Sequence, residues 1–151
     1  MPGRDTAVDF SFQTLGYKND TTFFGARDWN HNQYLFIEQD ANGQSLRFYD
    51  DGDVLAPFEA NADGRLVLTT DGTATVTVGN RAPTTVTGLN LQNDSGANLQ
   101  IFAVLAGHGG SWRFKAMRIE KGGETVRDFV PVSRLADGVT GLYDLVDGGF
   151  Y

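Results

Sequence analysis

The chain has 151 residues, 19 of them Gly and none Cys, and its 12 Lys and Arg against 19 Asp and Glu leave a formal charge of -7. That length fits one compact domain, and without Cys a disulfide framework, a thiolate zinc site and a cysteine nucleophile are all excluded. Nine Arg and three Lys scattered along an acidic chain do not form the basic face that phosphate backbones require, so no nucleic-acid partner is expected.

Apolar runs are too short to span a bilayer, and Met1 to Thr6 offers no apolar stretch for a signal peptide; no membrane insertion is expected, and no export signal is read. The first strand is expected over residues 7–13, where Val8, Phe10 and Phe12 alternate with Asp9, Ser11 and Gln13 and one face is buried. Further strands follow near 21–27, 33–38, 45–50, 55–60, 65–69, 73–78, 85–91, 99–105, 112–120 and 125–130. Between them Asn42-Gly43, Asp51-Gly52, Asp63-Gly64, Asp71-Gly72 and Gly79-Asn80 recur as turn dipeptides at about eight to twelve residues.

The stretches Tyr34 to Ile37 and Ile101 to Leu105 are apolar on consecutive residues, as suits strands covered on both faces. The Thr-rich segment from Thr69 to Thr87 alternates with Ala and Val and reads as a hairpin, which Thr favours through its β-branch. Helical periodicity is lacking; Val132 to Val146, interrupted by Gly138 and Gly141, reads as turns with at most one helical turn. No linker or fixed-period repeat divides the chain. Many short strands without helices bury their apolar faces sheet against sheet, so the expected fold is all-β, a two-sheet antiparallel β-sandwich.

The C-terminal third carries a more specific pattern. Met117 to Pro131, including Val126-Arg127-Asp128-Phe129-Val130-Pro131, then Asp137-Gly138 with Gly141-Leu142-Tyr143-Asp144-Leu145-Val146, and finally Phe150-Tyr151, resembles the C-terminal signature of laminin-G-like, concanavalin-A-like jelly-roll domains of phage structural and bacterial surface proteins. Upstream, Phe23-Phe24-Gly25-Ala26-Arg27 and Ser45-Leu46-Arg47-Phe48-Tyr49 are similar to early strands of the same domains. The resemblance implies a jelly roll over residues 1–151 with a binding, adhesive or architectural role and no catalytic residues. It also implies that the family's terminal strands, one before Val8 and one after Tyr151, are missing. A sheet edge left open in that way is a template for another chain, unless it is short, twisted or covered by the N-terminal arm.

Arg127-Asp128 and Tyr143-Asp144 are adjacent in strands and point to opposite faces, so each pair is read as structural, a hydrogen bond that fixes the C-terminal turns. Glycoside hydrolysis needs two facing carboxylates, but Glu38-Gln39-Asp40 runs into the turn Ala41-Asn42-Gly43, and the other glutamates (Glu59, Glu120, Glu124) are distant. No triad or metal spacing forms around His31 and His108. Asp50, Asp51 and Asp53 gather in a turn that calcium could use, but the loop spacing is incomplete and no metal is assigned.

For ligand recognition the candidates are Trp29, Asn30, His31 and Asn32, with His108 and Trp112 second, because aromatic faces stack on sugar rings and amides bond their hydroxyls. Trp112 alternates with Phe114 at strand spacing, which favours a core position over a ligand platform for it. Trp29 could equally serve a subunit contact.

Together these readings lead to a non-enzymatic structural or adhesive module without cofactors, expected in a virion as a head decoration, fibre or tail-tip component. Its expected partners are other subunits of a viral particle or cell-surface assembly, glycans, and further copies of itself. The alternative is a glycan-binding module of a secreted bacterial surface protein, extracellular or at the cell surface. A glycoside hydrolase is a distant third.

Overall fold

The computed structural model describes residues 5–17, 21–27, 33–39, 45–49, 54–89, 99–101 and 112–151. Among these residues there are strands and turns but no helix, and the strands form two antiparallel sheets. The chain is an all-β sandwich.

The larger sheet contains β1 (Thr6–Thr14), β6 (Asp63–Leu68), β7 (Ala74–Val78), β8 (Thr84–Val86), β10 (Trp112–Lys121), β11 (Glu124–Ser133) and β12 (Thr140–Asp144). The smaller contains β2 (Thr21–Arg27), β3 (Gln33–Gln39), β4 (Ser45–Tyr49), β5 (Val54–Pro57) and β9 (Gln100–Ile101). Spatial order is β12-β11-β10-β1-β6-β7-β8 in the first and β5-β4-β3-β2-β9 in the second. Strand β1 therefore lies in the middle of its sheet, hydrogen-bonded to β10 on one side and β6 on the other.

One hydrophobic core joins the sheets. From β1 come Val8, Phe10 and Phe12; from the facing sheet Phe23, Phe24, Ile37, Leu46 and Phe48. Phe23 packs at 4.5 Å from Phe12 and 5.5 Å from Phe10, ring centre to ring centre, which ties the sheets directly. Each such ring withdrawn from water contributes roughly 1.5–3 kcal/mol. The period-two pattern that predicted β1 and β7 is the pattern of their burial, which alternates strictly along both.

Several expectations are corrected. Asp63-Gly64, expected as a turn, opens β6; the reversal before it lies at Ala60–Asn61, where Asn61 adopts the left-handed conformation (φ 57°). Gly64 pairs with Phe12 across the ladder, and a methyl group there would overlap the Phe12 ring. By contrast Gly72 (φ 81°) and Gly79 (φ 57°) do sit in turns that favour Gly. Val132 to Val146, read from sequence as turns, contains the end of β11 and all of β12. Asn42-Gly43, Asp51-Gly52 and most of Ile101 to Leu105 lie outside the described residues.

Register breaks in β10 decide which side chains reach the outer face. Trp112 and Phe114 point inward at strand spacing, but the next core residue is Met117, three positions on. The extra residue is Lys115, at an irregularity where Phe12 pairs with Phe114 and Ser11 with Ala116. Such a bulge restarts the alternation one residue out of phase. Without it Ala116 and Arg118 would face the core; with it they face outward.

Candidate functional site

The outer face of the larger sheet carries a polar groove of about 400 Å³ lined by Asp9, Ser11, Arg65, Ala116, Arg118 and Asp128. Four strands supply it. Ser11 on β1 pairs with Ala116 on β10 and with Arg65 on β6, while Asp9 pairs with Arg118, which in turn pairs with Asp128 on β11. The two small side chains, Ser11 and Ala116, leave a low floor. Longer charged side chains stand around it.

Their charges are matched. Arg65 Nε and Nη2 donate to the two carboxylate oxygens of Asp9 at 2.8 and 2.6 Å, a bidentate pair. Arg118 Nη2 stands 3.4 Å from Asp128 Oδ2. The Arg65 hydrogen bonds hold the Asp9 carboxyl below the usual carboxylate range, with burial opposing and the positive charges of Arg65 and Arg118 adding to the effect. Lys115 Nζ bonds Asp63 at 2.7 Å and Arg113 Nη1 donates to Gln13 at 2.9 Å farther along the same strands. Toward the other end the groove continues into a second depression of about 220 Å³ that shares Asp9 and Arg118 and is bounded by Val67, Thr69 and Glu120.

A second feature lies at the β12 edge. Beyond β12 the chain turns back, Phe150 forms a bridge with Tyr143, and Leu142 and Tyr151 exchange backbone hydrogen bonds at 2.9 and 2.8 Å. Gly141 admits this return, because a Cβ there would overlap Phe150 and the Tyr151 carbonyl. Asp144, fully buried, accepts hydrogen bonds at Oδ1 from the N–H groups of Asp128 and Val146, both at 3.0 Å, while its other oxygen lies 3.5 Å from Arg127 Nε. Along this edge are exposed apolar side chains, Leu135 and Val139 on the β11–β12 turn and Tyr143, Leu145, Val146 and Tyr151 on β12 and the turn after it. Leu135 is entirely exposed.

Of the residues singled out in the sequence, Trp29, Asn30, His31, Asn32 and His108 lie outside the described residues, as do Asp50, Asp51 and Asp53. Trp112 is described, and its ring is in the core, 4.8 Å from Phe23, 5.5 Å from Phe58 and 5.9 Å from Phe12. With 8% of its surface exposed it has no face to offer a sugar, because Trp112 precedes the bulge and takes the inward phase of β10. Glu38 pairs through its backbone with Thr22 and Arg47 in the smaller sheet. Among the described residues no three His, Asp or Glu side chains gather as a metal site. Sequence reasoning missed the groove; its one visible trace is the three-residue step from Phe114 to Met117.

No protein-family model matches the chain, and no curated protein matches it. Among solved structures it is similar to Scytalido-glutamic peptidase, crystallised with a peptide based transition state analog, at 12% identity and a TM-score of 0.46, over 99% of this chain and 87% of that one.

Proposed function

We propose that the chain is a non-enzymatic structural or adhesive β-sandwich module of a phage virion, a head decoration, fibre or tail-tip component that works through subunit contacts and recognition of a surface. The observation that carries this reading is the set of exposed apolar side chains at the β12 edge. Leu135, Leu145 and Tyr151 are more than half exposed, yet each stands on ordered backbone: Leu135 on the β11–β12 turn held by the Arg134–Asp137 pair, Leu145 and Tyr151 on the turn pinned by the buried Asp144. Apolar surface displayed on an ordered support is the composition of a protein contact. The C-terminal signature adds the kind of assembly, through its resemblance to laminin-G-like domains of phage structural proteins.

The groove favours recognition over catalysis. Arg65 holds the Asp9 carboxyl below the usual carboxylate range, which unsuits it to be the proton donor a glycosidase requires. A glycan-binding module of a secreted bacterial surface protein is the second reading, and the same groove favours it.

The test is the protein inventory of purified particles. The chain is expected at fixed stoichiometry in virions, and the double variant Leu135→Asp, Leu145→Asp is expected to keep its β-rich circular dichroism while dropping out of the particle. Its recovery only from culture medium or the bacterial envelope overturns the virion reading in favour of the second.

A further inference from the structure

We infer that the groove formed by Asp9, Ser11, Arg65, Ala116, Arg118 and Asp128 is a binding site for an uncharged, hydroxyl-rich saccharide, with Tyr143 as an aromatic platform at its β11–β12 end. The inference deepens the adhesive reading above and depends on it only for where such a saccharide would be met.

Three properties of the groove select this ligand. The first is charge balance. Two carboxylates and two guanidiniums line it, and each cation is already set against a carboxylate, Arg65 on Asp9 and Arg118 on Asp128. A phosphate, sulfate or acidic sugar would have to compete with those carboxylates for the guanidiniums, and a cation would have to compete in the opposite sense. A neutral hydroxyl needs no such exchange, since each one both donates and accepts. The carboxylates keep free lone pairs, and the guanidiniums have more N–H groups than these contacts use. Both arginine side chains are more than half exposed, 61% for Arg65 and 54% for Arg118, so those N–H groups face outward.

The second property is shape. The Ser11–Ala116 floor runs across paired strands, and the lining residues span β6, β1, β10 and β11, roughly 14 Å at the usual strand spacing. That is a site for a short oligosaccharide lying across the strands. An extended peptide fits it poorly: peptides pair with sheet edges, whereas the backbone of β1 is already bonded on both sides, and the floor has no apolar pocket to receive a side chain.

The third is the aromatic neighbour. Tyr143 pairs with Val130, two residues from Asp128 on β11, and so lies on the same face as the groove. It is 37% exposed. A ring beside hydrogen-bonding groups lets the C–H face of a sugar stack while its hydroxyls are bonded.

The test uses the full chain on an array that carries neutral, sialylated and sulfated glycans from bacterial envelopes and from eukaryotic cells, followed by calorimetry with the best ligand. Neutral glycans are expected to bind, and the source of the positive set identifies the surface met. The affinity is expected to change little between low and physiological salt, unlike that for an anionic ligand. Ala116→Leu, which fills the floor without altering any charge, and Arg118→Gln, which removes the outward fork, are each expected to weaken binding at least about tenfold while thermal melts stay near the parent's. Preference for acidic glycans or for peptides, absence of binding, or unchanged affinity in both folded variants overturns the inference. Particle incorporation without saccharide binding would sink the groove and leave the virion reading standing; binding by a chain absent from particles would do the reverse.

Discussion

Arg127 and Asp144 meet at the edge of the larger sheet, 3.5 Å apart, one nearly half exposed and the other fully buried. They are adjacent neither in sequence nor in register: Asp144 pairs with Phe129, and Arg127 with Ile119. The contact places the only charge of the turn that water cannot reach beside a cation that water can, and leaves Asp144 Oδ1 to hold the N–H groups of Asp128 and Val146. The neighbouring Asp147 joins the same cluster, 3.5 Å from Arg127 Nη1 and bonded to the Tyr151 hydroxyl at 2.9 Å.

This arrangement makes Asp144 the key to the C-terminal turn. Asp144→Ala leaves two N–H groups without their acceptor and is expected to cost about 2 kcal/mol or more. Asp144→Asn keeps an oxygen for those amides and loses only the attraction to Arg127, so its loss is smaller. Urea unfolding midpoints rank the three chains, and equal midpoints for the two variants would show that the backbone hydrogen bonds are not what the carboxylate supplies.

A glycine that sequence reasoning assigned to a turn is instead a packing requirement. Gly64→Ala puts a methyl group into the fully buried Phe12 ring, and overpacking of this kind costs about 1–3 kcal/mol. Pairing it with Phe12→Leu relieves the overlap, so the double variant is expected to lose less than the two single losses added together. Strict additivity in thermal or chemical unfolding would separate the two sites.

Acid and alkali act on different contacts. Asp9, Asp71, Asp137 and Asp147 are all held below the ordinary carboxylate range, by hydrogen bonds from Arg65, Thr69, Arg134 and the Gly149 N–H respectively. Because the folded state binds these protons less readily than the unfolded chain, their contribution is complete above the unfolded carboxylate value and is lost as pH falls through the folded ones. Tyr151 has the opposite sign: its hydrogen bond to Asp147 raises the phenol, so its contribution holds below the unfolded tyrosine value and is lost as pH rises through the folded one. The melting temperature is expected to fall on both limbs. Asp9→Asn flattens the acid limb, and Tyr151→Phe the alkaline one; an acid limb unchanged by Asp9→Asn would remove the Arg65 pair from the account.

How much of this was legible in the sequence depends on range. Strand β1 and strand β7 were readable because one residue in two is apolar and a sheet buries one face, a rule that needs only neighbours along the chain. β12 was not, since Gly138 marks a genuine turn (φ 72°) and Gly141 inside the strand imitates one, and the reason for Gly141 is the later return of Phe150 and Tyr151 against it. Trp29 to Asn32 and His108 stand out in the sequence by their chemistry alone and lie outside the described residues, and Trp112 belongs to the core by its phase in β10.

What the sequence determined by itself is the class of the molecule: an acidic, cysteine-free, all-β chain whose alternating segments can hide their apolar faces only by pairing two sheets. What only the tertiary structure decided is the face those sheets turn outward. Asp9 and Arg65 stand 56 residues apart in the chain and 2.6 Å apart in space, and Arg118 joins them because one extra residue at Lys115 shifts the phase of β10. Periodicity is a local property, and register is not; a groove assembled from four strands exists only once the register between them is set.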